Sequence, residues 1–291
     1  MATAAPRGAR PRRPKQAARP EPQPVHRTFG LADAAALDLY YAMLVSRRMS
    51  EYALRLAFQG AIDVSIPSDG HEAAQIASMH ALRPTDPVYL FYRSLPAAYA
   101  RGMSAREIFL DYFGAAASPS SGGKNLPGHW AKHDLHLMSI SGSVATQIPH
   151  AVGSALAAKL RGEDSVSVAY FGDGGSSKSD FHEGLNFAAV HQLPVVLFCE
   201  NNGVAISVPF EKQSAVRSVA DRAVGYAVVG ISVDGADPLQ VYRVMREAVE
   251  AAREGRGPAL IEARVSRLGQ HTSQVGDLRG AAELATGRRG D

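Results

Sequence analysis

The chain has 291 residues, 46% hydrophobic and 20% charged, enough apolar content to bury one large core without a second folded domain. Formal net charge is only +3 and much of the basic excess falls in the first 28 residues, so the body offers neither a nucleic-acid nor a membrane surface. One cysteine, Cys199, excludes an intrachain disulfide and suits a reducing compartment; inside an apolar run it reads as a small core hydrophobe.

From Met1 to about Thr28, Ala, Pro and Arg mix without an apolar period, which predicts a disordered tail over residues 1–28. The tail lacks the apolar h-region of a secretory signal. Its prolines spoil the amphipathic helix of a transit peptide, which favours a cytoplasmic bacterial protein over a mitochondrial one. No run is long and apolar enough to cross a membrane. Leucines, methionines and aromatics at helical spacing predict a helix from about Leu31 to Phe58, stopped at Gly60, and a second from Gly70 to Leu82, stopped before Pro84. Val88 to Tyr92 reads as a strand leading into Arg93. Ser104, with Glu107 three residues on, opens a helix reaching Phe113. Residues 115–136 have little period and much Gly, Ser, Pro and His: a long loop of the kind that often carries function.

Val144 to Leu160 reads as an Ala-rich helix, with Gly153 marking a close approach by a neighbour. Ser165–Phe171 and Val195–Cys199 are apolar runs of strand length. Between them Ser179–Glu183 looks like a helix start, with Asp180 and Glu183 spaced as a capping box. Residues 230–235 form a strand and turn, Leu239 to Arg253 a helix, and Ala259 to Val265 a strand. Strands alternating with helices imply an α/β fold with a doubly wound, mostly parallel sheet.

Within that frame Gly172-Asp173-Gly174 and Asn201-Asn202 each follow a strand, and open α/β sheets bind ligands at such carboxyl ends. Magnesium takes oxygen ligands in near-octahedral geometry and is usually held by one or two protein groups plus phosphates. Asp173 supplies a charged oxygen, Asn202 an amide oxygen, and a bend at Gly203 can turn the Val204 carbonyl inward. Gly172 and Gly174 permit a tight turn and close backbone approach to a diphosphate. Taken singly, each motif is an ordinary turn.

The run GDGGSSKSDFHEGLNFAAVHQLPVVLFCENNGVAISVP from Gly172 to Pro209 resembles the thiamine diphosphate motif of alpha subunits in the decarboxylase component of 2-oxo acid dehydrogenases. The resemblance extends through Gly70-His71-Glu72, Phe91-Tyr92-Arg93, Leu126–Trp130, Gly142–Gln147, Val233–Gly235 and Leu268–Thr272, covering roughly residues 30–275. It implies a thiamine diphosphate-binding α/β domain over residues 29–275 that decarboxylates a 2-oxo acid and passes the acyl group to a lipoyl arm. By analogy Asp173, Asn202 and the Val204 carbonyl hold Mg2+, Gly172, Gly174 and Gly175 lie along the diphosphate, and Tyr92 and Arg93 clamp it. Ser143 and Val144 line the aminopyrimidine edge, and His271 is the catalytic residue, beside Thr272. The implied partners are a beta subunit, supplying the activating glutamate in an α2β2 assembly, and a lipoyl acyltransferase core. The stretches around Asn202–Pro209 and Pro127–Trp130 favour branched-chain substrates over pyruvate or acetoin.

The sequence departs from this family at Lys178-Ser179, where Glu-Gly is usual, at Ser94-Leu95-Pro96, and at Val204, where tyrosine is common. Residues 276–291 form a polar stretch where the family continues through further helices. Together with Lys178 this leaves open a truncated, non-catalytic binding subunit. His71 beside Glu72 reads as a capping element, Glu183 as a cap, and Trp130 as either a cofactor-loop element or a packing anchor. His133 and His136 lack the further ligands of a zinc site.

Overall fold

The computed structural model describes residues 24–275. In chain order it comprises α1 (Val25–Thr28), α2 (Asp33–Phe58), α3 (Glu72–His80), β1 (Val88–Tyr89), α4 (Leu95–Ala100), α5 (Ala105–Tyr112) and α6 (Gln147–Arg161). There follow β2 (Ser167–Gly172), α7 (Ser179–Val190), β3 (Val195–Asn201), β4 (Val204–Ala205), β5 (Val208–Pro209), α8 (Phe210–Gln213), β6 (Val229–Asp234), α9 (Pro238–Arg253) and β7 (Ala259–Arg264).

Five strands form one parallel sheet in the order β1-β2-β3-β7-β6. Its inner strands β2, β3 and β7 are buried on both faces, and successive side chains enter different cores. Val168, Tyr170, Val196, Phe198 and Ile261 join the cluster containing residues of α3, α5 and α9. Ala169, Phe171, Leu197, Cys199 and Leu260 join the cluster containing residues of α6 and α7. Period-2 alternation between two buried layers is what a doubly wound sheet requires. The parallel α/β expectation therefore holds, and Cys199 is a buried core residue whose thiol burial pushes well up.

Several local expectations are corrected. The strand at Val88 ends at Tyr89, because a turn closed by Ser94 N–H to the Phe91 carbonyl (3.0 Å) takes the chain out of the sheet. α6 begins at Gln147, not Val144, since Ala145 sits at φ +76° and cannot belong to a right-handed helix. The N-cap of α7 is Lys178, which puts Asp180 at the second helical position and Glu183 at the fifth, so the expected capping box does not form. Gly153 faces open space; the close approach of α6 and α7 is at Gly184, where an added Cβ would meet Ile148 Cγ2 at 2.7 Å. Val25–Thr28, assigned to the tail, form a helical turn, with Arg27 and His26 paired to Asp33. The readings of residues 1–23 and 276–291 lie outside the described residues.

Candidate active site

Asp173 follows the last residue of β2, and Asn202 the last residue of β3. The two strands are neighbours in parallel register, Gly172 opposite Glu200, so both turns leave the sheet at the same edge. They open into a cavity of about 230 Å³. Tyr92, Arg93, Ser143, Val144, Gly172, Asp173, Gly174, Gly175, Asn202, Val204 and His271 all line it. These residues come from five separate chain segments.

Asp173 is 2% exposed, and burial raises its pKa. Opposing hydrogen bonds come from the Gln213 side chain (2.9 Å to Oδ2) and from the backbone amides of Asp173 and Asn202. The Asn202 amide thus faces the Asp173 carboxyl group. Asn202 Oδ1 accepts from Val204 N–H (3.2 Å), and Gly203, at φ +80°, supplies the left-handed bend between them. On the other turn, a Cβ on Gly174 would meet Ala205 Cβ at 2.9 Å and one on Gly175 would meet Phe171 Cδ2 at 3.3 Å. Gly174 lets the Asp173 turn nest against the β4–β5 hairpin, and Gly175 lets it fold back on Phe171 of β2.

Arg93 is buried, donating to the Pro67 carbonyl (2.5 Å) and the His271 carbonyl (3.2 Å). His271 Nδ1 lies 3.2 Å from Arg93 Nη2 and 3.3 Å from Arg267 Nη1. Guanidinium groups only donate, so Nδ1 is an acceptor and Nε2 carries the proton of the neutral ring. Tyr92 sets its ring edge-on to His271 (centroids 5.8 Å apart) and lies 5.5 Å from the Arg93 guanidinium carbon. Arg267 also donates to the Ile206 carbonyl (3.4 Å), tying the His271 segment to the hairpin.

Three sequence readings are decided here. His71 does not cap α3 through its side chain; its Nδ1 meets Glu200 Oε2 at 2.5 Å inside the protein. Trp130 is a packing anchor, fully buried edge-on to Tyr112 (5.5 Å), while its neighbour His129 lines the cavity. Glu183 makes no cap. Glu200, Gln213 and Arg267 were not singled out from the sequence. Glu200 and Gln213 act through partners 129 and 40 residues away, and Arg267 joins His271, four residues on, to Ile206, 61 residues back, so no local spacing announces them.

The chain matches the family described as dehydrogenase E1 component over residues 40–278. It is 44% identical, over 91% of its length, to the 2-oxoisovalerate dehydrogenase subunit alpha of Bacillus subtilis (strain 168), spanning 82% of that protein. It is 41% identical, over 81% of its length, to the 3-methyl-2-oxobutanoate dehydrogenase subunit alpha of Mycobacterium tuberculosis (strain ATCC 25618 / H37Rv), spanning 61% of it. A pyruvate dehydrogenase E1 component subunit alpha of Bacillus subtilis (strain 168) is 37% identical over 83% of the chain, which spans 62% of that relative. With a parallel sheet, two cavity-lining turns at one edge and these matches, the chain belongs to the dehydrogenase E1 component family.

Proposed function

We infer that this chain is the alpha subunit of a thiamine diphosphate-dependent 2-oxo acid dehydrogenase acting on branched-chain 2-oxo acids, with Mg2+ as a second cofactor. The observation that carries this reading is the meeting of Asp173 and the Asn202 turn at one cavity, from adjacent strand ends. The residues present fit the group. Asp173 is a buried carboxyl group with no basic partner among the described ion pairs, a state that a bound cation would relieve. A carboxylate, a carboxamide and a carbonyl make a hard oxygen donor set of the kind Mg2+ takes.

Bound there, thiamine diphosphate supplies the nucleophilic carbon and the electron sink for decarboxylation. Asp173, Asn202 Oδ1 and the Val204 carbonyl hold the cation. Gly174 and Gly175 allow backbone approach to the diphosphate, Tyr92 and Arg93 wall it in, and Ser143 and Val144 border the ring end. His271, whose Nδ1 accepts from the two guanidinium groups, would offer its Nε2–H as a proton donor at the cavity. A beta subunit completes the site as an α2β2 assembly, and a lipoyl acyltransferase core receives the acyl group. The higher identity to the branched-chain relatives, 44% and 41% against 37% for the pyruvate relative, supports the substrate class.

Reconstitution with a beta subunit and a decarboxylation assay tests the reading. Turnover of 3-methyl-2-oxobutanoate well above that of pyruvate is expected, and the reverse order would overturn the substrate assignment. Thermal scans test the site: ligand at about 100 times its dissociation constant stabilises by roughly 2.7 kcal/mol. A reconstituted enzyme indifferent to Mg2+ and thiamine diphosphate would refute the assignment altogether.

A further inference from the structure

Glu200 is fully buried on β3, opposite Gly172 and immediately before Asn201 and Asn202. Its Oε2 meets His71 Nδ1 at 2.5 Å and accepts from Gln75 Nε2 at 2.8 Å. Gln75 extends the network. It donates to the Arg93 carbonyl (3.2 Å) and accepts from the Ala97 amide (3.2 Å) through its own carbonyl oxygen. Four segments therefore share one buried polar hub: the start of α3, the end of β3, the Tyr92-Arg93 turn and the first turn of α4. Two of these carry cavity-lining residues.

The hub is costly to keep. His71 Nε2 and Glu200 Oε1 are buried with no hydrogen-bond partner among the described residues, and apolar side chains of similar volume would fill the same space without that penalty. None of His71, Gln75 and Glu200 lines the cavity, so direct contact with a ligand does not account for them. What they do connect is the turn bearing Asn202 and the backbone of Arg93, which approach the cavity from β3 and from the segment after β1.

Resting on the function proposed above, we propose that the buried His71–Glu200 pair, with Gln75, is a positioning device that holds the Asn202 turn and Arg93 in the mutual geometry needed to bind a divalent cation and a diphosphate. It acts on cofactor affinity, through the residues it orients, and takes no part in the chemical step.

The test uses the assembled enzyme with its beta subunit and the variants Glu200→Gln, His71→Asn and the double variant His71→Gln/Glu200→Gln. Dissociation constants for Mg2+ and for thiamine diphosphate are measured by calorimetry, alongside Tm without cofactor and kcat at saturating cofactor. Each single variant is expected to raise both dissociation constants roughly 10- to 100-fold while kcat at saturation stays within about a factor of two. The double variant, whose two amides can re-form a hydrogen bond, recovers much of the lost affinity. Unchanged dissociation constants with a lowered Tm would assign the pair to the fold and overturn the proposal, as would failure of all three variants to assemble. A fall in kcat at unchanged affinity would overturn it as well. Wild-type enzyme that binds neither Mg2+ nor thiamine diphosphate refutes the functional reading of the cavity; wild type that binds, with variants that bind equally well, refutes the positioning role alone.

Discussion

Asp173 is 2% exposed and meets no basic side chain among the described ion pairs, so its environment opposes ionisation before any ligand arrives. Burial raises its pKa above the ordinary carboxylate value. For a carboxyl group raised in the folded state, the protonated form favours folding. The contribution of this one group to the cofactor-free fold is then complete below the unfolded value near 4 and is lost as pH rises through the folded one. A bound cation reverses this by favouring the carboxylate. Asp173→Asn is therefore expected to raise the Tm of the cofactor-free protein at pH 7 and to erase its response to Mg2+ and thiamine diphosphate. A variant that still responds to both would show that the cation is held elsewhere. Lys178 presents the converse trade. It is exposed at the cavity rim and caps α7 without a side-chain hydrogen bond, where the helix dipole disfavours a cation by about 0.3 to 1 kcal/mol. Lys178→Glu should stabilise the chain by that amount in urea titrations and weaken diphosphate binding by calorimetry. Tighter binding would contradict it.

At the scale of elements, legibility followed the range of the interaction. α2 and α9 could be read because burial of one helical face imposes its period on adjacent residues, whereas α3, buried almost all round, could be read from its apolar content and the stop before Pro84. The capping box at Ser104 and Glu107 was equally local, and it forms: Ser104 Oγ accepts from Glu107 N–H, and Glu107 accepts from Ser104 N–H (2.9 Å). The apparent box at Asp180 and Glu183 fails because the helix starts two residues too early for it, at a boundary that tertiary packing sets. In the site, the two turns that line the cavity could be found because each is contiguous. The His71–Glu200 contact, which joins residues 129 apart in the chain, could not. The formed box supplies its own prediction. Glu107 is held down to about 2 by Lys132, with help from the Ser104 amide, so its contribution is complete above the usual value of 4.5 and is lost as pH falls through about 2. Ser104→Ala is expected to cost about 1 kcal/mol at pH 7 in denaturant titrations. A cost below a few tenths would mean that packing alone holds α5.

Considered as a whole molecule, the cavity is only half enclosed. Its volume of about 230 Å³ falls below the roughly 300 to 1,000 Å³ of typical ligand pockets. Buried Asp173 lines it, while exposed apolar side chains stand at and beside its rim together with Lys178. Val144 is 42% exposed, Ile206 50% and Val208 43%, the last two on or beside the β4–β5 hairpin that carries the Val204 carbonyl. Apolar side chains around a polar cleft are what a second protein surface covers when it completes the site. The beta subunit is the partner that the proposed function requires, and Val208 is the residue on which to test its seat. Val208 does not line the cavity, and its side chain is not part of either buried core, so Val208→Asp should leave the fold and the donor set of Asp173 and Asn202 intact. If the hairpin docks on the beta subunit, an unpaired aspartate there forfeits the burial of a valine, about 1.5 to 3 kcal/mol, and adds the cost of desolvating a charge. Association should weaken by at least about tenfold in sedimentation velocity. Circular dichroism and Tm of the isolated subunit should be unchanged. Association of wild-type strength would mean that the hairpin faces solvent in the assembly and that the missing wall of the site arrives from another direction.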